Sequence, residues 1–123
     1  MTSVLIVDDE LFIVELYRDI LQLRGYRVFG TAFDGEEALK KYTQAPEKPD
    51  VVIMDHRMPV MNGVEATKAI VRANPRAKVI FVSADVFVEK EAREAGAIDF
   101  LPKPFRMDDL IEKMERISCK NKA

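Results

Sequence analysis

Val4-Leu5-Ile6-Val7-Asp8-Asp9 and Val51-Val52-Ile53-Met54-Asp55 are built alike: four apolar, mostly β-branched residues closed by acid. Val79-Ile80-Phe81-Val82 repeats the apolar run and closes on Ser83-Ala84, while Tyr26-Arg27-Val28-Phe29 and Ile98-Asp99-Phe100-Leu101 are weaker versions. Such runs are too short for helices. Continuous apolar character, rather than strict alternation, suits strands covered on both faces.

Between the runs the period changes to that of helices. Ile13, Leu16, Tyr17, Ile20 and Leu21 form one apolar stripe, which turns toward a core, and Gly25 supplies a stop. Asp34 followed by Glu37 reads as the start of a helix carrying Ala38, Leu39 and Tyr42, closed by Pro46 and Pro49. Asn62-Gly63 opens a third, with Ala66, Thr67, Ile70 and Val71 inward and Asn74-Pro75 at its end. A fourth segment runs from Phe87 to Ala95, before Gly96. The last helix places Met107, Leu110, Ile111, Met114 and Ile117 on one face.

Five strand–helix repeats, (βα)5, predict an open α/β fold with a five-stranded parallel sheet and helices on both faces. Right-handed crossovers then favour the flavodoxin-like strand order 2-1-3-4-5. In that order strands one and three are neighbours, and ligands bind at the carboxyl ends of the strands. Asp8, Asp9 and Asp55 occupy those ends.

A chain of 123 residues fits one domain and buries roughly two-thirds of its unfolded surface without a disulfide or metal staple. Its 48% hydrophobic content supports such a core. Twenty-one acids against 19 bases leave a net charge of −2, which predicts no direct grip on nucleic acid. Cys119 has no intrachain partner. No amino-terminal apolar stretch reads as a signal peptide or membrane span, so a cytoplasmic protein is the simplest expectation. Residues 120–123 read as a solvated tail.

Three clustered carboxylates repel one another and call for a cation, shared protons or wide spacing. Hard oxygen donors with room for water favour Mg²⁺. The bland alternative is that Asp8-Asp9-Glu10 caps the first helix, where negative charge is favourable. Asp55, at a mouth rather than within an apolar layer, could attack phosphorus and form an acyl phosphate if a cation screened the two anions. Lys103 could supply a second positive charge and Ser83 a hydroxyl donor. Singly, these read as an exposed lysine and a turn serine; their joint placement at strand ends carries the argument.

The chain resembles the CheY-like receiver domains of two-component response regulators over nearly its entire length. The resemblance rests on Val7-Asp8-Asp9, Met54-Asp55, Met58-Pro59, Met61-Asn62-Gly63, Ser83-Ala84 and Lys103-Pro104-Phe105, in that order. It implies a receiver at 1–119 in which Asp55 accepts a phosphoryl group from a phosphohistidine donor. Asp8 and Asp9 would help bind Mg²⁺, with Asp55 and the Arg57 backbone carbonyl completing the set, and Lys103 would contact the phosphoryl group. Ser83 and Phe100 would be the switch pair: the hydroxyl moves toward the phosphoryl group, the aromatic packs inward, and the surface of the fourth helix, fifth strand and fifth helix changes. Phe100 also reads simply as a core aromatic. The Lys103-Pro104 bond matches one that is commonly cis in similar proteins.

The resemblance further implies a signalling switch, not a metabolic enzyme, with self-catalysed phosphorylation and slow autodephosphorylation. A sensor histidine kinase or phosphotransfer protein would be its partner, and the chain a monomer or a phosphorylation-dependent dimer. The output target is open, and so is whether the receiver stands alone or belongs to a longer regulator. Asn62 replaces the more usual aspartate but keeps the Asn-Gly turn chemistry. Arg57 and Asp85 stand at positions that tune phosphoryl lifetime: either they pair across the site and restrict attacking water, or they are two solvated side chains. His56 is given no catalytic or ligand role. An aspartyl-phosphate phosphatase would want a carboxylate where Arg57 stands, and a nucleotide binder would want a glycine-rich loop after the first strand. A docking domain that has lost the chemistry would not need the full set of acids, hydroxyl and lysine.

Overall fold

The computed structural model describes residues 1–122, with side chains through residue 117. The order of elements is β1 (Ser3–Val7), α1 (Leu11–Leu23), β2 (Arg27–Ala32), α2 (Gly35–Gln44), β3 (Val51–Asp55), α3 (Gly63–Ala73) and β4 (Val79–Ser83). A 3₁₀ turn (Val86–Val88), α4 (Glu89–Ala95), β5 (Asp99–Pro102) and α5 (Met107–Lys122) follow. All strand pairs are parallel, in the order β2-β1-β3-β4-β5. The predicted alternation and the predicted sheet order are both present.

The apolar runs are buried on both faces, and their two-residue period divides the core. Leu5, Val7, Val52, Met54 and Phe81 face Ala38, Tyr42, Ala66, Ile70 and Ala92 of α2, α3 and α4. Val4, Ile6, Val51, Ile53, Ile80 and Val82 face Val14, Tyr17 and Leu21 of α1 and Leu110, Ile111, Met114 and Ile117 of α5. Two helices therefore cover one face and three the other.

Helix ends follow side-chain chemistry. The Asp34 carboxylate accepts from the Glu37 amide at 2.7 Å, and Asn62 with Glu65 forms a reciprocal capping box. Gly96 ends α4 at a φ of +116°, and a Cβ there would meet Val71 at 2.8 Å.

Several boundaries differ from the sequence expectation. The stripe on α1 is centred on Val14, Tyr17 and Leu21, while Leu16 is exposed, so the i, i+3, i+7 row meets the sheet. β2 begins after Tyr26 and runs on to Ala32. The fourth helical segment splits: Phe87 lies in the 3₁₀ turn and is 88% exposed, and the α-helix starts at Glu89. The backbone of α5 continues to Lys122, so the expected tail overlaps its end. Ala123 and the side chains of 118–122, Cys119 among them, lie outside the described residues.

Candidate functional site

The carboxyl ends of β1, β3, β4 and β5 meet around a cavity of about 620 Å³ lined by Asp9, Glu10, Asp55, Arg57, Ser83, Ala84, Asp85 and Lys103. Asp8, only 1% exposed, and Asp55, 8% exposed, are the buried acids of this edge. Lys103 Nζ bridges them, 3.1 Å from Asp55 Oδ1 and 3.4 Å from Asp8 Oδ2. Lys103 follows β5 directly, and its amide donates to the Ser83 carbonyl at 2.9 Å. The backbone of Lys103 is thus anchored to β4, and its ammonium is held by the two carboxylates.

Burial raises the Asp55 carboxyl above its ordinary range, and the charge of Asp8 pushes the same way. Lys103, by charge and hydrogen bond, and a backbone hydrogen bond at His56 oppose that rise without cancelling it. For Lys103 burial alone favours the neutral amine, but Asp55 and Asp8 outweigh it and hold the ammonium above its usual pKa. Burial and the neighbouring Asp8 charge thus leave Asp55 only partly compensated by Lys103, and a further cation at the site would favour its ionised form.

The loop after β3 is positioned by a close backbone approach. Gly63 N donates to the His56 carbonyl at 2.9 Å, and a Cβ on Gly63 would lie 2.1 Å from the Asp55 carbonyl oxygen. Only glycine lets α3 start this near the end of β3. Within the loop, Met61 N bonds the Pro59 carbonyl at 2.7 Å across Val60, which has a φ of +69°. A β-branched residue in that region is strained. The Lys103-Pro104 bond is cis, as the resemblance implied.

Asp9, Asp55, Arg57, Ser83, Asp85 and Lys103 line the cavity and Asp8 is buried beside Lys103, whereas Phe100 lies within β5 in the core. Ser83 is 3% exposed, and its Oγ accepts from the Asp85 amide at 3.0 Å, which leaves the hydroxyl hydrogen free to donate. Phe100 is buried and stacks on Phe81 with ring centroids 6.0 Å apart. The Arg57–Asp85 pair is not made: no ion pair joins them among the described residues, and Asp85 instead caps the 3₁₀ turn through the Phe87 amide at 3.0 Å. His56 packs its ring on Phe81, and its buried Nδ1 has no partner among the described residues.

Helix capping does not account for Asp8-Asp9-Glu10. No side chain caps α1; Asp8 Oδ1 accepts only from the Glu10 amide, at 2.9 Å. Oxygens of Asp8, Asp9 and Glu10 come within 4.8 Å of one another. This hard, anionic donor set fits Mg²⁺, and it adds Glu10, whose only signal in the sequence was a third consecutive acid.

Tyr17 was also missed, because an apolar stripe hides a polar tip. It lines a second cavity of about 470 Å³ with Lys103, Pro104 and Phe105, and Glu10, Ala84 and Lys103 line both cavities. Burial pushes the Tyr17 phenol up to about 12, with Lys103 opposing and Asp8, Asp55 and Glu10 adding.

Residues 4–115 match the family model of the response regulator receiver domain. The chain belongs to the response regulator receiver family. The chemotaxis protein CheY of Thermotoga maritima is 44% identical over 117 residues, covering 94% of this chain and 96% of that protein. Among solved structures, the response regulator TrrA of Thermotoga maritima, in complex with Mg²⁺-BeF, superposes with a TM-score of 0.86 at 36% identity, covering 95% of this chain and 99% of that one. A CheX-CheY-BeF3-Mg²⁺ complex from Borrelia burgdorferi gives 0.88 at 32%, covering 94% and 88%. This receiver is thus of CheY type, a signalling module of two-component systems. None of its described helices is long and apolar enough to cross a membrane.

Proposed function

We propose that this receiver, spanning 1–119, takes a phosphoryl group from a phosphohistidine donor onto Asp55 and is switched by it. The observation that carries the reading is the buried Asp55 carboxylate, bonded to Lys103 at the mouth of an acid-lined cavity. An Asp55 oxygen attacks phosphorus; the O–P bond forms as the P–N bond breaks, and its electron pair stays on the donor imidazole. Lys103 moves from the two carboxylates to the phosphoryl oxygens, and Ser83 donates its free hydrogen to the same group. Asp8, Asp9, Asp55 and the Arg57 carbonyl, with Glu10 nearby, would hold Mg²⁺. Bound there, the ion would screen the approach of donor and carboxylate.

Slow hydrolysis of the acyl phosphate by the receiver itself resets the switch. Arg57 and Asp85 line the cavity and tune its lifetime separately, by controlling how water reaches phosphorus. Phe100 and Ser83 couple the site to the surface of α4, β5 and α5, which phosphorylation changes only by binding one arrangement more strongly. A sensor histidine kinase or phosphotransfer protein supplies the group to this cytoplasmic receiver, as a monomer or a phosphorylation-dependent dimer, and no direct nucleic-acid contact is involved.

The test is intact-mass measurement after incubation with Mg²⁺ and acetyl phosphate or phosphoimidazole. Wild type should gain one phosphoryl group, and none when the metal is chelated beforehand, and Asp55→Asn should gain none. The absence of any Asp55-dependent gain with either donor overturns the reading.

A further inference from the structure

Asp99 begins β5 at the centre of an ion cluster that the phosphorylation chemistry does not use. Its Oδ2 lies 3.0 Å from Lys113 Nζ of α5, and its Oδ1 lies 3.6 Å from Arg93 Nη2 of α4. Oδ1 also accepts from the Phe100 amide at 2.8 Å, and Arg93 is bonded to Glu89 at 3.0 Å. The Asp99 and Lys113 side chains are 26% and 21% exposed, so this pair is better shielded than an ordinary surface pair.

The helix it reaches through Arg93 is short and packs mainly against α3, with fewer contacts to β5. α4 has seven residues and buries only Ala92 and Ala95. Of the two, Ala92 shares a cluster with Val88, Ala97, Phe81 and Phe100. Where α4 rests and where Phe100 packs are therefore one question. β5 carries the answer to the site, because Phe81 pairs with Phe100 and Ser83 with Pro102 in register, and Lys103 follows at once.

We propose that Asp99, through Arg93 and Lys113, is an ionic clamp that sets where α4 rests against β5 and α5 and thereby how readily Asp55 is phosphorylated. The inference rests on the phosphoryl-transfer reading above. A group that shifts the population of the α4 arrangement shifts the fraction of chains whose phosphoryl site is competent. The clamp is made with Phe100 packed inward, the arrangement associated with the modified form, so its loss depopulates the form that accepts the phosphoryl group. Asp99 is a positioning residue; it touches no reacting atom.

The experiment compares wild type, Asp99→Asn, Lys113→Met and the double variant. Asparagine keeps an oxygen for the Phe100 amide while removing the charge. Expected results are Asp55 phosphorylation by acetyl phosphate slowed about three- to tenfold in each single variant and no further in the double. Mg²⁺ affinity by calorimetry should be unchanged, and amide hydrogen exchange faster across 89–95. Rates within twofold of wild type, or slowing matched by an equal loss of Mg²⁺ affinity, overturn the clamp. If Asp99→Asn fails to fold, Lys113→Met carries the same comparison. If wild type itself gains no phosphoryl group, the functional reading falls, and the exchange measurement still decides the clamp: unchanged α4 exchange in Asp99→Asn rejects it.

Discussion

Gly63 shows how much one residue governs at the phosphorylation site. A methyl group there would overlap the Asp55 carbonyl oxygen at 2.1 Å and press on His56 Cα at 2.8 Å, both backbone atoms with no rotamer to yield. Gly63→Ala should cost about 2–3 kcal/mol of stability in urea unfolding, as overpacking against backbone does. It should also slow Asp55 modification, because the displaced atoms include the end of β3. The sequence marked this position only as an Asn-Gly turn. The need for glycine comes from how closely α3 approaches β3, which is a tertiary distance. Arg57 and Asp85 teach the same lesson: the sequence left pairing and solvation both open, and in the structure Asp85 is engaged with the Phe87 amide two residues on, since a nearby amide outcompetes a distant guanidinium for a short side chain.

At the scale of elements, the departure at Asn62 leaves the cap intact. Asn62 Oδ1 accepts from Glu65 N at 2.9 Å, and Glu65 accepts from Asn62 N at 3.2 Å. Asn62→Ala should therefore lower stability by about 1 kcal/mol, whereas Asn62→Asp should keep it or add a few tenths through the helix dipole. Thermal unfolding of the two variants separates the cases. Asp99 gives the element contacts a pH signature. Burial raises its carboxyl, but the Lys113 and Phe100 hydrogen bonds and the charges of Lys113 and Arg93 outweigh burial and hold it below the ordinary value of 3.8. A depressed carboxylate stabilises the fold above its unfolded pKa, and that contribution is lost as pH falls through the folded value. Wild type should be more stable than Asp99→Asn at neutral pH, and the gap should close on acidification below about pH 4.

For the whole molecule, the sheet edge sets stability and function against each other. Asp8 and Asp55 are buried together with Lys103 as their shared cation, and Asp9 and Glu10 add exposed charge beside them. A second cation that binds only the folded chain should raise its melting temperature, by mass action. Added Mg²⁺ should stabilise wild type, by about 2.7 kcal/mol at a hundredfold excess over Kd. Asp9→Asn should be at least as stable as wild type in EDTA, since it removes a repelling charge, and show a much smaller Mg²⁺ response; an equal response would remove Asp9 from the metal set. Strand runs, helical periods, caps and the placing of acids, hydroxyl and lysine at strand ends were determined by the sequence alone, because each depends on residues within a turn or a strand of one another. Only the tertiary structure decided that Lys103 bridges two carboxylates 95 and 48 residues away, that the Tyr17 phenol borders the site, and that Asp99 joins α4 to α5. Those contacts join residues far apart in the chain, and no local period records which side chains the packed helices and sheet bring within bonding distance.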